Sequence, residues 1–155
     1  MQQEHQMPLE EICARILALC DGEDDTIAIM ATVAGELFHH IEGFDWVGFY
    51  RVTAPAMLKI GPYQGGHGCL QIAFDQGVCG ASARDKKTLR VADVDAFPGH
   101  IACAASTKSE LVVPCLGADG ALIAVLDIDS DTPDFFTEAH QIFIEDLMQE
   151  LFAKQ

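Results

Sequence analysis

ELVVPCLGADGALIAVLDID, residues 110–129, consists of two apolar runs separated by the turn GADG, an arrangement that reads as a β-hairpin. Along the second run Ala121, Ile123, Val125, Asp127 and Asp129 share one parity, and Leu122, Ala124, Leu126 and Ile128 share the other. Side chains alternate across a strand, so both faces are apolar until the acids begin, and a strand of that kind is covered on both sides. It belongs at the centre of a sheet. Asp127 and Asp129 then lie at the mouth of a cavity or, if the strand has already ended, in solvent. Glu110 opens the partner strand, close enough in topology to join them, and Cys115, alternating with Leu111 and Val113, is expected in the core.

Before the hairpin, DWVGFYRV from Asp45 alternates Trp46, Gly48 and Tyr50 against Val47, Phe49 and Arg51, and MLKIG follows a proline-containing turn, which predicts an antiparallel pair. Trp46 and Tyr50 share a face, where they wall a pocket or serve as ordinary core aromatics. HGCLQIAF is expected as the next strand, with His67, Cys69 and Gln71 on one face. The turn GPYQGGH lacks the glycine order of a phosphate cradle. GVCGASARDKK predicts a short helix, TLRVAD a strand, and residues 94–109 a long connection without periodicity, of the kind that often carries function.

Helices flank this strand-rich middle. Leu9, Ile12, Cys13, Ile16 and Cys20 fall at helical spacing in PLEEICARILALC; Asp25 is placed to cap a second helix with Ile29, Val33, Leu37 and Ile41 in one stripe. Thr137 is placed to cap a last helix with Ala139, Phe143, Leu147 and Leu151 in its stripe. Helices, a run of antiparallel strands, then a helix predict an α+β domain in which terminal helices pack on one face of a central sheet and the other face is left for a ligand.

At 155 residues, half of them hydrophobic, the chain suits one domain. Nine basic residues against 24 acidic ones leave a formal charge of −15, which repels nucleic acid and anionic membrane surfaces. Residues 1–10 lack the basic and apolar regions of a secretory signal, and no apolar run approaches a membrane span. A cytoplasmic location is therefore expected, and six cysteines there imply reduced thiols rather than a disulfide framework.

Cys69, Cys79 and Cys103 lie in the loop-rich middle, where thiolate attack and disulfide recycling would need thiols that can meet. Cys79, at a predicted helix start, would have its thiolate stabilised by the helix dipole and is the first nucleophile candidate on physical grounds. Cys103 sits in the long connection three residues after His100, a possible proton partner, and Cys69 is expected to be fixed on its strand. A zinc site from these thiols and a histidine lacks the close cysteine pairs of zinc knuckles, so no metal is assigned. Three clustered carboxylates, Glu110, Asp127 and Asp129, repel one another unless a cationic ligand compensates or one stays protonated to act as an acid.

GVCGASARDKKTLRVADVDAFPGHIAC, KSELVVP and AVLDIDS resemble the GAF-domain free methionine-(R)-sulfoxide reductases, a similarity running from about residue 45 to residue 141. The resemblance implies a single GAF-like domain over residues 1–155 that reduces free L-methionine (R)-sulfoxide. It implies that Cys103 attacks the sulfoxide, that Cys69 resolves the resulting sulfenic acid, and that Cys79 is an auxiliary resolving thiol. It further implies that Glu110, Asp127 and Asp129 bind substrate with Trp46 and Tyr50 lining the pocket, that thioredoxin or a similar dithiol reductant recycles the disulfide, that no cofactor is needed, and that a homodimer is possible. Ala104 departs from the polar or acidic residue usual after the catalytic cysteine. The alternative is a non-catalytic GAF-type sensor module using the same pocket and thiols to report rather than convert.

Overall fold

The structure, a computed structural model, describes residues 6–155. In chain order the elements are α1 (Leu9–Leu19), α2 (Thr26–His40), β1 (Trp46–Ala54), β2 (Met57–Gln64), β3 (Gln71–Ala73), α3 (Gly77–Asp85), β4 (Leu89–Val91), β5 (Ser109–Leu116), β6 (Leu122–Ser130) and α4 (Glu138–Phe152), with a 3-10 turn at Val94–Ala96. The six strands form one sheet in the order β3-β2-β1-β6-β5-β4, and each neighbouring pair is antiparallel. The hairpin of residues 110–129 supplies β5 and β6, and β6 takes the central place its two apolar faces required.

Alternation along the central strands divides the molecule. Val47 and Phe49 of β1, Leu111, Val113 and Cys115 of β5, and Ala124, Leu126 and Ile128 of β6 pack under α1, α2 and α4. On the opposite face Trp46, Tyr50, Val112 and Val125 pack with Leu58, Ile72 and residues of α3. The terminal helices therefore cover one face, as expected, and the second face is closed by α3 and the connection after β4. Cys13, Cys20 and Cys115 are free and buried in the helix-side core.

Local chemistry sets the helix ends. Asp25 accepts hydrogen bonds from the amides of Ile27 at 2.9 Å and Ala28 at 3.4 Å, satisfying donors that the first turn of α2 leaves unpaired. At α4 the His140 amide donates to Thr137 Oγ1 and the Thr137 amide donates to His140 Nδ1, a reciprocal cap. Burial lowers the pKa of His140, which keeps Nδ1 free to accept.

Three sequence expectations are corrected. Cys69 is not on a strand: β3 begins at Gln71, and residues 67–70 form a loop. The stripe of α4 runs through Ile144, Leu147, Met148, Leu151 and Phe152, leaving Ala139 exposed, because the helix lies on the sheet along a line rotated from the one predicted. The parity of β6 breaks near its start. Leu116 pairs with Leu122 and Cys115 with Ala124, so Ile123 is the extra residue of a bulge. Leu122 thereby packs toward the α3 face and Ile123 toward the helices, the reverse of strict alternation.

Candidate active site

Strand register assembles the acids. On β6 Asp129 lies between Trp46 of β1 and Glu110 of β5, and Asp127 lies between Gly48 and Val112. All three carboxylates therefore stand on the α3 face within two residues of one another along the sheet. Glu110 is 6% and Asp127 5% exposed. The acids are not solvated beyond a strand end; they sit at the floor of a cavity.

The aromatic wall is shaped by missing side chains. A Cβ on Gly48 would meet Cη2 of Trp46 at 2.4 Å and Cβ of Tyr63 at 2.5 Å, so the indole can lie over β1 only because residue 48 is glycine. Trp46 stacks on Tyr50 and Tyr63 at ring separations of 6.0 and 5.4 Å, and its Nε1 donates to the Gly66 carbonyl at 2.7 Å. Gly68 presses on the same ring: a Cβ there would come within 3.0 Å of both Trp46 Cζ2 and Tyr50 Oη. That contact fixes the loop that carries Cys69.

Cys69 is joined to Cys103 by a disulfide with a Cα–Cα separation of 5.2 Å. The Cys103 end of the bond borders a partly open cavity of about 30 Å³ lined by Tyr50, Cys79, Cys103, Glu110, Asp127 and Asp129, with Ile72, Gln76, Thr107 and His100 among the flanking residues. Such a space holds about one water. Tyr50 lines it directly, whereas Trp46 backs Tyr50 from behind.

Among the described residues no cation pairs with the acids: the ion pairs involve Arg15, His40 and Arg84, none of them with Glu110, Asp127 or Asp129. Burial pushes all three carboxyls well above the usual carboxylate range, and negative neighbours add to it: Asp127 for Glu110, Asp129 for Asp127, and Glu110 for Asp129. The Oδ1 atoms of Asp127 and Asp129 are buried without a hydrogen-bond partner. A buried ammonium would satisfy these atoms and relieve the repulsion. Tyr50 is pushed up by burial and by Asp127, and so stays a neutral hydroxyl.

Cys79 corrects a further expectation. It is the third residue of α3, yet it is only 4% exposed and faces the acids. Burial first, then Asp127 and Glu110, hold its thiol well above its ordinary pKa, overriding the favourable helix end. Burial, with the acids beside it, therefore removes the helix-start advantage on which the sequence-based ranking of Cys79 as first nucleophile rested. Of the considered set of Cys69, Cys79, Cys103 and a histidine, Cys69 and Cys103 are joined to each other. Cys79, Glu110 and Asp127 do bring donor atoms within 4.8 Å of one another.

Thr107, Gln76 and Ile72 also flank the cavity but carried no signal in the sequence, because ordinary polar and apolar residues become lining only through the path of the chain. Gly48 did carry one: a glycine between Trp46 and Tyr50 in an alternating strand marks a place where something lies close to the backbone.

Residues 20–151 match the GAF domain family. The chain is 40% identical to GAF domain-containing protein A of Dictyostelium discoideum, over 90% of this chain and 87% of that protein. It is 36% identical to the free methionine-R-sulfoxide reductase of Saccharomyces cerevisiae, over 90% of this chain and 81% of that protein. The X-ray structure of free methionine-R-sulfoxide reductase from Neisseria meningitidis in complex with its substrate superposes with a TM-score of 0.86 at 38% identity, covering 92% of this chain and 85% of that one. The chain belongs to the GAF domain family and, within it, to the free methionine-R-sulfoxide reductases, which makes it an oxidoreductase. Among the described residues no helix is long and apolar enough to cross a membrane.

Proposed function

We propose that this chain reduces free L-methionine (R)-sulfoxide to methionine, with Cys103 as nucleophile, Cys69 as resolving thiol and the Glu110, Asp127 and Asp129 cluster as the subsite for the amino group. The observation that carries the reading is the Cys69–Cys103 disulfide set over buried acids that have no counter-cation. Sulfoxide chemistry needs a thiol that can be oxidised and resolved; recognition of a free amino acid needs buried negative charge.

The thiolate of Cys103 attacks the sulfoxide sulfur while a carboxyl of the cluster, kept protonated by burial, donates a proton to the oxygen. Methionine leaves reduced by two electrons and Cys103 becomes a sulfenic acid. Cys69 attacks that sulfur, water departs, and the disulfide forms. A dithiol protein such as thioredoxin then returns both cysteines to thiols and becomes a disulfide itself. A cavity of about 30 Å³ has room for about one water, so an amino acid would need more space than this disulfide form offers.

The test is product analysis after incubating the reduced protein with free R, free S and N-acetylated R methionine sulfoxide and a thioredoxin system. Methionine is expected from the free R form, with far slower release from the others. Tight binding of the free R form without release of methionine would instead identify a sensor. Cys69→Ser should give about one methionine per chain and then stall with thioredoxin; steady turnover would remove its resolving role.

A further inference from the structure

Cys79 is left unexplained by that scheme. With Cys69 and Cys103 joined, it remains a free thiol at the bottom of the same cavity. Its Sγ lies within 4.8 Å of carboxylate oxygens of Glu110 and Asp127, and Asp127 carries the unpartnered, buried Oδ1.

The helix that carries Cys79 is pinned. A Cβ on Gly80 would stand 2.5 Å from the Ala73 carbonyl oxygen and 3.0 Å from that of Phe74, so α3 packs backbone to backbone on the end of β3. Arg84 Nη1 donates to the Phe74 carbonyl at 2.9 Å, and the Gly77 amide donates to the Gly99 carbonyl at 3.1 Å. Ser82 Oγ ties the far end to the Lys87 carbonyl at 2.8 Å. A resolving thiol must travel to its partner; this one is held still at 4% exposure.

We propose that Cys79 is a positioning residue that donates its thiol proton to Asp127, turning that carboxylate toward the substrate's ammonium, and that it takes no part in disulfide exchange. The surroundings agree. Burial and Asp129 push Asp127 up, whereas the neighbouring Glu110 and Cys79 side chains, with donor atoms within 4.8 Å, draw it back toward the charged form an ammonium needs. A neutral thiol can do this where a thiolate would repel. The proposal rests on the reading of the acids as the amino-group subsite.

The test compares wild type, Cys79→Ala and Cys79→Ser as full chains, assayed with free and N-acetylated (R)-sulfoxide and a thioredoxin system. Cys79→Ala should raise KM for the free amino acid roughly 3- to 10-fold with kcat largely kept, the size expected for one hydrogen bond to a charged group made by a weak donor. Its kcat/KM for the N-acetylated form should stay within about twofold of wild type, and Cys79→Ser, which keeps a donor, should restore KM. A merely structural role would move both substrates alike. Equal KM in wild type and Cys79→Ala, or a Cys79→Ser protein that stalls with thioredoxin after one methionine, would overturn the proposal. If neither variant folds, disulfide mapping of wild type during turnover decides: Cys79 alkylated throughout as a free thiol supports it, and Cys79 in a disulfide with Cys103, Cys69 or thioredoxin overturns it. Wild type that releases no methionine would sink the functional reading itself, an outcome separate from any of these.

Discussion

The two faces of β6 are built by the same strand and behave as opposites. Ala124, Leu126 and Ile128 point into an apolar core under three helices, where every contact favours folding. Val125, Asp127 and Asp129 point the other way, and there burial forces acids together without a cation. The first face supplies stability. The second spends some of it on a charge pattern that a ligand, rather than the protein, completes.

The sharpest break of this comparison is chemical. Cys103→Ser should abolish methionine release with any reductant while leaving the helix-side core intact, as circular dichroism would show. Full activity in Cys103→Ser, with loss in Cys79→Ser, would reverse the assignment of the nucleophile. Next in size is a core truncation: Leu126→Ala, at a fully buried position, should cost about 2–5 kcal/mol in denaturant unfolding, yet leave KM of the folded fraction close to wild type. A large KM change would mean that the faces are coupled rather than separate.

One residue further along the same strand the effect should invert. Asp127→Asn removes one charge-assisted contact to an ammonium, worth about 1.5–3 kcal/mol or roughly 10- to 150-fold in KM for the free amino acid. It should also leave the empty protein as stable as wild type or more so, since a buried acid without a cation is costly. Unchanged KM would take the amino-group subsite away from Asp127.

The last effect is the pH dependence of stability. Folding raises the pKa of Glu110, Asp127 and Asp129, so the folded chain binds more protons than the unfolded one above about pH 4. Their stabilising contribution is full below the unfolded carboxylate range and is lost as pH rises through the raised values. Each adds at most about 1.4 kcal/mol of loss per pH unit. Denaturant midpoints between pH 5 and 8 should therefore fall with pH, and less steeply in Asp127→Asn. Identical slopes would show that the carboxylates are already ionised in the folded state.

Much of the architecture was readable along the chain because it depends on period. Alternation put Trp46 and Tyr50 on one face of residues 45–52 and Asp127 and Asp129 on one face of residues 121–129, and the stripe of Ile29, Val33 and Leu37 marked α2. Resemblance to relatives named Cys69 and Cys103 as a pair, which the disulfide joins. Where period was interrupted, the reading failed: the bulge at Ile123 swapped two side chains, and the loop around Gly66 and Gly68 runs on through Leu70, so Cys69 lies off the strand. Nothing local announces either feature.

By itself the sequence determined the order of elements, the two-faced character of the central strands and the supply of thiols and acids, since these follow from side-chain type and spacing. Only the tertiary structure decided the state of those groups. Whether Cys79 is a thiolate or a buried neutral thiol depends on carboxylates brought from β5 and β6, more than thirty positions away, and on the exclusion of water between them. Electrostatic energy and desolvation act through space, and the spacing of residues along a chain carries no record of them until the chain has folded.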